Sequence, residues 1–263
     1  MRRLNLLSSL LLIFLAGCQD TVIVPTLANP EAVATGFVLT ENAPPTGYET
    51  VSFPKIDANL EELPGWRYEM EFEFTGRFAS TAREASARTR ATVTYQQLNS
   101  SRRVVATVQQ NLQGEGTLIR YEGVRLGQDA FLVRDGNCLS NAGDDAATLA
   151  DLSAGDFLGG VDQADSAIQK ATINGELVWR YAVLPDAMRL PNVGFGENSR
   201  ILSLDAELWI SPEYDAVVRY YATMEVENVT IFDSSAPVSG TVLIRYDLFA
   251  IGELPNINVP NGC

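Results

Sequence analysis

The sequence predicts a mainly β (α+β) fold, an antiparallel sheet with one face covered by short helices, and three observations carry that expectation. Trp66-Arg67-Tyr68-Glu69-Met70-Glu71-Phe72-Glu73-Phe74 alternates large apolar and charged residues without a break. Period two is the signature of a strand with one buried and one wetted face. Further apolar-rich runs follow, divided by turn sequences such as Asn99-Ser100-Ser101, Gly127-Gln128-Asp129 and Ser211-Pro212-Glu213, and short connections favour antiparallel neighbours. Asp144 to Lys170 alone has the Ala, Asp and Leu texture of helix.

In chain order, Met1-Arg2-Arg3 and the apolar run Leu4 to Leu15 read as a signal peptide over residues 1–17. The run is shorter than the ~20 residues a membrane-spanning helix needs. It ends in Leu15-Ala16-Gly17-Cys18, which resembles the lipobox of bacterial lipoproteins. That resemblance implies cleavage before Cys18, a diacylglycerol on its sulfur and a further acyl chain, such as palmitate, on its new amino group. Each buried methylene contributes ~0.8 kcal/mol, so two or more chains anchor firmly. An ordinary secretory signal with an incidental cysteine is the alternative.

Residues 18–64 hold prolines from Pro25 to Pro64 and no sustained apolar period, which reads as an extended tether. The folded domain is expected over 65–263. After Trp66 to Phe74, strands are expected at Ala91 to Leu98, Arg103 to Leu112, Thr117 to Leu126, Ala130 to Arg134, Leu177 to Leu184, Ile201 to Ile210, Ala216 to Val226 and Thr241 to Ile251. Within Asp144 to Lys170, Leu149, Leu152, Phe157, Leu158 and Val161 make an apolar stripe interrupted by glycines, giving one or two short helices against the sheet.

Composition narrows the function. The 263 residues carry a net charge of −14, more negative still once Arg2 and Arg3 leave, so nucleic acid and anionic headgroups repel the chain and attachment falls to the lipid anchor. The chain has no histidine, which removes Ser-His-Asp and Cys-His nucleophiles and imidazole metal sites. Carboxylates remain, but Glu69, Glu71 and Glu73 lie on the wetted face of their strand, and the six aspartates between Asp144 and Asp165 lack calcium-loop spacing. No enzyme activity, metal or cofactor is expected. Cys138 and Cys263 are the two thiols left in an oxidising compartment, where a disulfide is expected and two free thiols are the alternative.

The positive feature is a surplus of large apolar residues at inward strand positions. Trp66, Tyr68, Met70, Phe72 and Phe74, with Tyr121, Trp209 and Tyr220, are the candidate lining of an apolar cavity beneath the helices, or equally the filling of a solid core. Phe195, between two glycines, is expected in a loop.

Three C-terminal segments carry a family resemblance. Thr172-Ile173-Asn174-Gly175-Glu176-Leu177-Val178-Trp179-Arg180-Tyr181, then Glu207-Leu208-Trp209-Ile210 through Val217-Val218-Arg219-Tyr220, then Tyr246-Asp247-Leu248-Phe249 with Ile257-Asn258-Val259-Pro260 resemble LolA-like and LppX/LprG-like proteins. The segment Gly127 to Arg134 resembles their central strand more faintly. The resemblance implies a strongly curved antiparallel half-barrel covered by helices, with an apolar cavity for acyl chains. It implies a monomeric carrier of a lipid, glycolipid or lipoprotein acyl group in the cell envelope, held on the extracytoplasmic face of a bacterial membrane. A non-transporting regulatory or adhesion module with a filled core is the alternative.

Overall fold

Two meanders, joined along one seam, build the sheet. In the computed structural model, which describes residues 41–112, 116–232, 234 and 236–263, the first meander is β2 (Gly65–Phe78), β3 (Glu84–Gln96), β4 (Ser101–Asn111), β5 (Thr117–Leu126), β6 (Asp129–Arg134) and β7 (Asn137–Cys138). The second is β8 (Gly160–Ile173), β9 (Glu176–Ala182), β11 (Val193–Ser211), β12 (Ala216–Ile231) and β13 (Val238–Phe249). β13 pairs antiparallel with β2, from Val238 opposite Phe78 to Phe249 opposite Arg67. The short strands β1 (Thr50–Phe53) and β10 (Met188–Arg189) both pair with β8. The described strands thus form a single open antiparallel sheet of 13 strands, with β1 and β7 at its ends. This is the mainly β architecture that the alternating pattern predicts.

The link between the meanders carries the helices α1 (Gly143–Ala150) and α2 (Ala154–Leu158), which lie where the Ala- and Leu-rich stretch placed helix. The remainder of that stretch does not follow the expectation: residues from Gly160 to Lys170 form the first part of β8. Gly159 closes α2 at φ 88°, and beyond it the chain has the edges of β1, β9 and β10 to pair with, which outweighs a weak helical composition. Phe195 is likewise in a strand, opposite Val229, and about half exposed.

The compact unit begins at Asn42, so the boundary expected at residue 64 lies inside it. Val51, Phe53, Ile56 and Leu60 are buried in the core, because β1 covers the free edge of β8. The expected signal peptide, Cys18 and the expected tether up to residue 40 lie outside the described residues. No described helix is long and apolar enough to cross a membrane.

The alternation of β2 becomes a division of labour between faces. Trp66, Tyr68, Met70, Phe72 and Phe74 are buried in one core cluster with Tyr220, Tyr246 and Leu248. On the other face, the Glu71 carboxylate takes Arg88 at 2.7 Å and Arg90 at 2.8 Å, and Glu73 takes Arg88 at 3.1 Å. Such partly exposed pairs contribute at most about 1 kcal/mol each, so their main effect is on register.

A polar network fastens the helical link to the sheet. The Asp57 carboxylate accepts from the backbone N–H groups of Ala154 and Gly155, both at 2.8 Å, and from the Ser153 hydroxyl at 3.0 Å. The Tyr68 hydroxyl donates to the Leu152 carbonyl at 3.0 Å and accepts from Ala154 N–H at 3.1 Å and from Arg102 at 3.2 Å. Burial raises the pKa of this phenol well above the ordinary tyrosine value, so it stays protonated and able to donate.

Tyr246 sits against Tyr68, ring centroids 5.3 Å apart, but its buried hydroxyl has no partner among the described residues. Tyr68→Phe is therefore expected to lower unfolding stability by about 1–2 kcal/mol, since it removes the hydrogen bonds that a buried hydroxyl makes to Leu152, Ala154 and Arg102. Tyr246→Phe is expected to change stability little or to raise it. Urea unfolding midpoints of the two variants compare these directly, and equal midpoints would contradict the assignment.

Candidate functional site

A cleft forms where the inward residues of the sheet become small. Along β2 the inward side chains are aromatic. Across the ladder Phe72 faces Thr89 of β3, Thr89 faces Val108 of β4, and Ala91 faces Ala106. These short side chains do not reach the helices above, and a cavity of about 530 Å³ remains. Its floor is Thr89, Ala106 and Val108 with Tyr121 of β5 and Leu132 of β6. Its roof is Leu149 of α1, Leu152 of the turn between the helices and Phe157 of α2.

Gly123 sets the height of that roof. A Cβ there would lie 2.9 Å from Leu149 Cγ and 3.0 Å from the Ala150 nitrogen, so α1 can settle onto β5 only where the strand has no side chain. The inner wall is a phenylalanine group. Phe72 meets Phe232 at 5.2 Å and Phe157 at 6.2 Å between centroids, and Phe157 meets Phe232 at 5.9 Å. The Asn192 side chain donates to the Phe157 carbonyl at 2.7 Å and holds this wall in place. Behind it lies the solid core.

Polar groups are few and mostly at the rim. Gln110, Arg134 and Asp145 line the cleft, the last two exposed at the ends of β6 and in the first turn of α1. The Arg134 guanidinium lies 5.9 Å from the Tyr121 ring centroid, a cation over a π face. An interior without charge, with charge confined to the mouth, suits an apolar chain whose polar end stays near water.

The eight candidate lining residues divide three ways. Tyr121 lines the cleft. Trp66, Tyr68, Met70, Phe72, Phe74 and Tyr220 belong to the filled core, and of these Phe72 backs the cleft wall. Trp209 is on the other side of the sheet, packed with Val178 and Val218 in a separate small cluster, its indole N–H donating to Glu207 at 2.9 Å. Leu204, Ala206, Leu208 and Ile210 alternate into the main core, so Trp209, at the odd position between them, faces the opposite side of the sheet.

Cys138 and Cys263 form a disulfide with Cα atoms 5.4 Å apart. It ties the C-terminal tail to β7, and the next residue, Leu139, stands at the rim of the cleft. Among the described residues no three His, Cys, Asp or Glu side chains gather as a metal site. The outer face has a groove of about 480 Å³ that includes Glu71, Arg90, Tyr221, Arg245 and Asp247. There Arg219 pairs with Asp247 at 2.8 Å, and burial together with the hydrogen bond to Asp247 pushes the Tyr221 hydroxyl up to about 12. That groove is charged and internally paired, unlike the cleft.

No family model and no curated protein matches the sequence. Among solved structures, LprF from Mycobacterium bovis is similar, with 11% identity over 76% of this chain and 93% of that chain and a TM-score of 0.33. A LolA-superfamily protein from Nitrosomonas europaea is similar with 10% identity over 79% of this chain and 96% of its own, at a TM-score of 0.24.

Proposed function

We propose that this protein is a membrane-anchored bacterial envelope lipoprotein that binds the acyl part of a lipid, glycolipid or lipoprotein and carries it without bond chemistry. The observation that supports this reading is the cleft of about 530 Å³ between the small residues of β3 and β4 and the apolar roof of Leu149, Leu152 and Phe157. Acyl surface entering such a site gains roughly 25 cal/mol per Å² removed from water, with little need for polar partners. The lipobox-like Leu15-Ala16-Gly17-Cys18 would hold the carrier at the membrane.

The test uses the full chain carrying Cys18→Ser, which is expected to leave the membrane fraction and to be purified without detergent. It should take up a fluorescent fatty acid with one site per chain. Val108→Trp, which puts an indole into the cleft, is expected to weaken uptake at least tenfold while the unfolding midpoint stays nearly unchanged, since the indole fills space instead of crowding packed atoms. The solid packing beneath Trp66 to Phe74 is what favours the second reading, a non-transporting regulatory or adhesion module. Absence of any lipid uptake by the Cys18→Ser chain would select that module.

A further inference from the structure

The cleft is one compartment of about 530 Å³, with Arg134 the cation and Asp145 the anion among its lining residues. A methylene occupies about the space of a water in the liquid, ~30 Å³, so the cleft takes one acyl chain of roughly 16–18 carbons. A second chain needs about twice the room, and the phenylalanine wall of Phe72, Phe157 and Phe232 closes the way into the core.

At the rim, Arg134 has the Asp135 carboxylate only at 4.0 Å, with both side chains about half exposed, so its donors remain open to an incoming oxyanion. Asp145 makes no ion pair among the described residues. A purely anionic head would meet Arg134 but also Asp145 and the negative field of an acidic chain. A purely cationic head would meet Arg134. A head that carries both signs has a complement for each.

We propose that the ligand is a single-chain zwitterionic phospholipid, one acyl chain in the cleft with its phosphate on Arg134 and its ammonium toward Asp145. This rests on the acyl-binding reading above and narrows it to a substrate class. Arg134 is suited to the phosphate because its planar fork can donate two parallel hydrogen bonds. The Tyr121 ring beneath it holds that fork at the mouth, where the first methylenes of the chain begin.

The Cys18→Ser chain, delipidated and free of detergent, is titrated below micellar concentrations and followed by calorimetry and native mass spectrometry. The probes are palmitoyl-lysophosphatidylethanolamine, palmitate, monopalmitoylglycerol and dipalmitoyl phosphatidylethanolamine. The lysophospholipid is expected to bind with one equivalent and at least tenfold more tightly than the diacyl lipid. Arg134→Gln and Asp145→Asn should each weaken it about fivefold to tenfold, in line with the loss of one charge-assisted contact near solvent. Neither substitution should alter monopalmitoylglycerol binding, and both should leave the thermal midpoint within about 4 °C of the parent's, because the two side chains are exposed and Asp145 gives up only a first-turn helix interaction.

Binding of the diacyl lipid as tightly as the lysophospholipid, or of two lysophospholipid equivalents, would overturn the single-chain assignment. Palmitate or monopalmitoylglycerol binding as tightly as the lysophospholipid, with both variants silent, would overturn the headgroup assignment. In either case acyl binding itself would stand. Binding of none of the four would overturn this proposal and the acyl-carrier reading together.

Discussion

The double variant Cys138→Ser, Cys263→Ser is expected to lose about 2–4 kcal/mol of unfolding stability, seen as a fall of roughly 5–15 °C in thermal midpoint. The bond closes a separation of 125 residues, and the chain-entropy gain from so long a loop is among the larger ones a single disulfide supplies. Its position adds a local effect. The tail after Phe249 has no strand, and among its apolar side chains Ile257 is buried, beside Trp66 and Thr94. On the other side of the bond, the two-residue β7 ends the sheet and leads into Leu139 at the cleft rim. Without the disulfide, amide hydrogens of Val133, Cys138 and Leu139 should exchange faster than those of β2 and β13, which the seam protects. The comparison is urea unfolding of the parent with and without reductant beside the double variant. Identical midpoints in all three would show that the bond adds nothing.

Phe72→Ala is expected to cost about 3–5 kcal/mol, the usual range for emptying a fully buried aromatic site. Phe72 is 1% exposed and stands between the core and the two rings of the cleft wall. Its removal leaves Phe157 and Phe232 unsupported from behind, so the cleft should deepen toward the core while the protein weakens. Two measurements separate this from a lining role. Stability should fall by several kcal/mol, and affinity for a single-chain lipid should fall less than it does in Val108→Trp, with longer or branched chains gaining relative to palmitate. A variant that kept its stability and lost binding outright would make Phe72 a contact residue and the wall assignment wrong.

The strong signals in the sequence are those of surplus. The unbroken alternation from Trp66 to Phe74 specifies β2, its face and its burial, because a one-residue slip would put five large side chains in water. Each expected strand from Ala91 to Ile251 overlaps a strand of the sheet, with ends that differ by up to two residues where Leu98, Leu112, Leu184 and Ile251 fall beyond the observed bounds. The cleft is defined by a deficit. Thr89, Ala106 and Val108 are unremarked residues in any strand, and they make a cavity only because two facing layers stay apart above them. No one-dimensional pattern states the distance between layers.

Two other errors have local causes. Trp209 alternates with Leu208 and Ile210 and so faces away from the main core, yet all three are buried because both faces of the sheet are covered there. β1 is four residues within a proline-rich segment, too short for periodicity to register, and it exists because the edge of β8 needs a partner. The roof was legible through Leu149, Leu152 and Phe157, since a stripe of apolar residues on a short helical segment has to face something.

The seam between β13 and β2 has a consequence for how the chain is made. A polypeptide delivered from its N-terminus presents β2 to β7 first, as a meander of near neighbours that can assemble quickly, whereas the partner of β2 on its other side is the last strand of all. Pairings this distant in sequence form slowly. Until β13 arrives, β2 is a fourteen-residue free edge rich in aromatic side chains, the kind of edge that recruits other chains. The charges of Glu69, Glu71 and Glu73 then serve a second purpose: stacked copies of this edge would bring like carboxylates face to face. Folding during synthesis, before β13 is in place, is the stage at which those three residues are expected to matter most, and their replacement by neutral residues would be felt in yield before it was felt in stability.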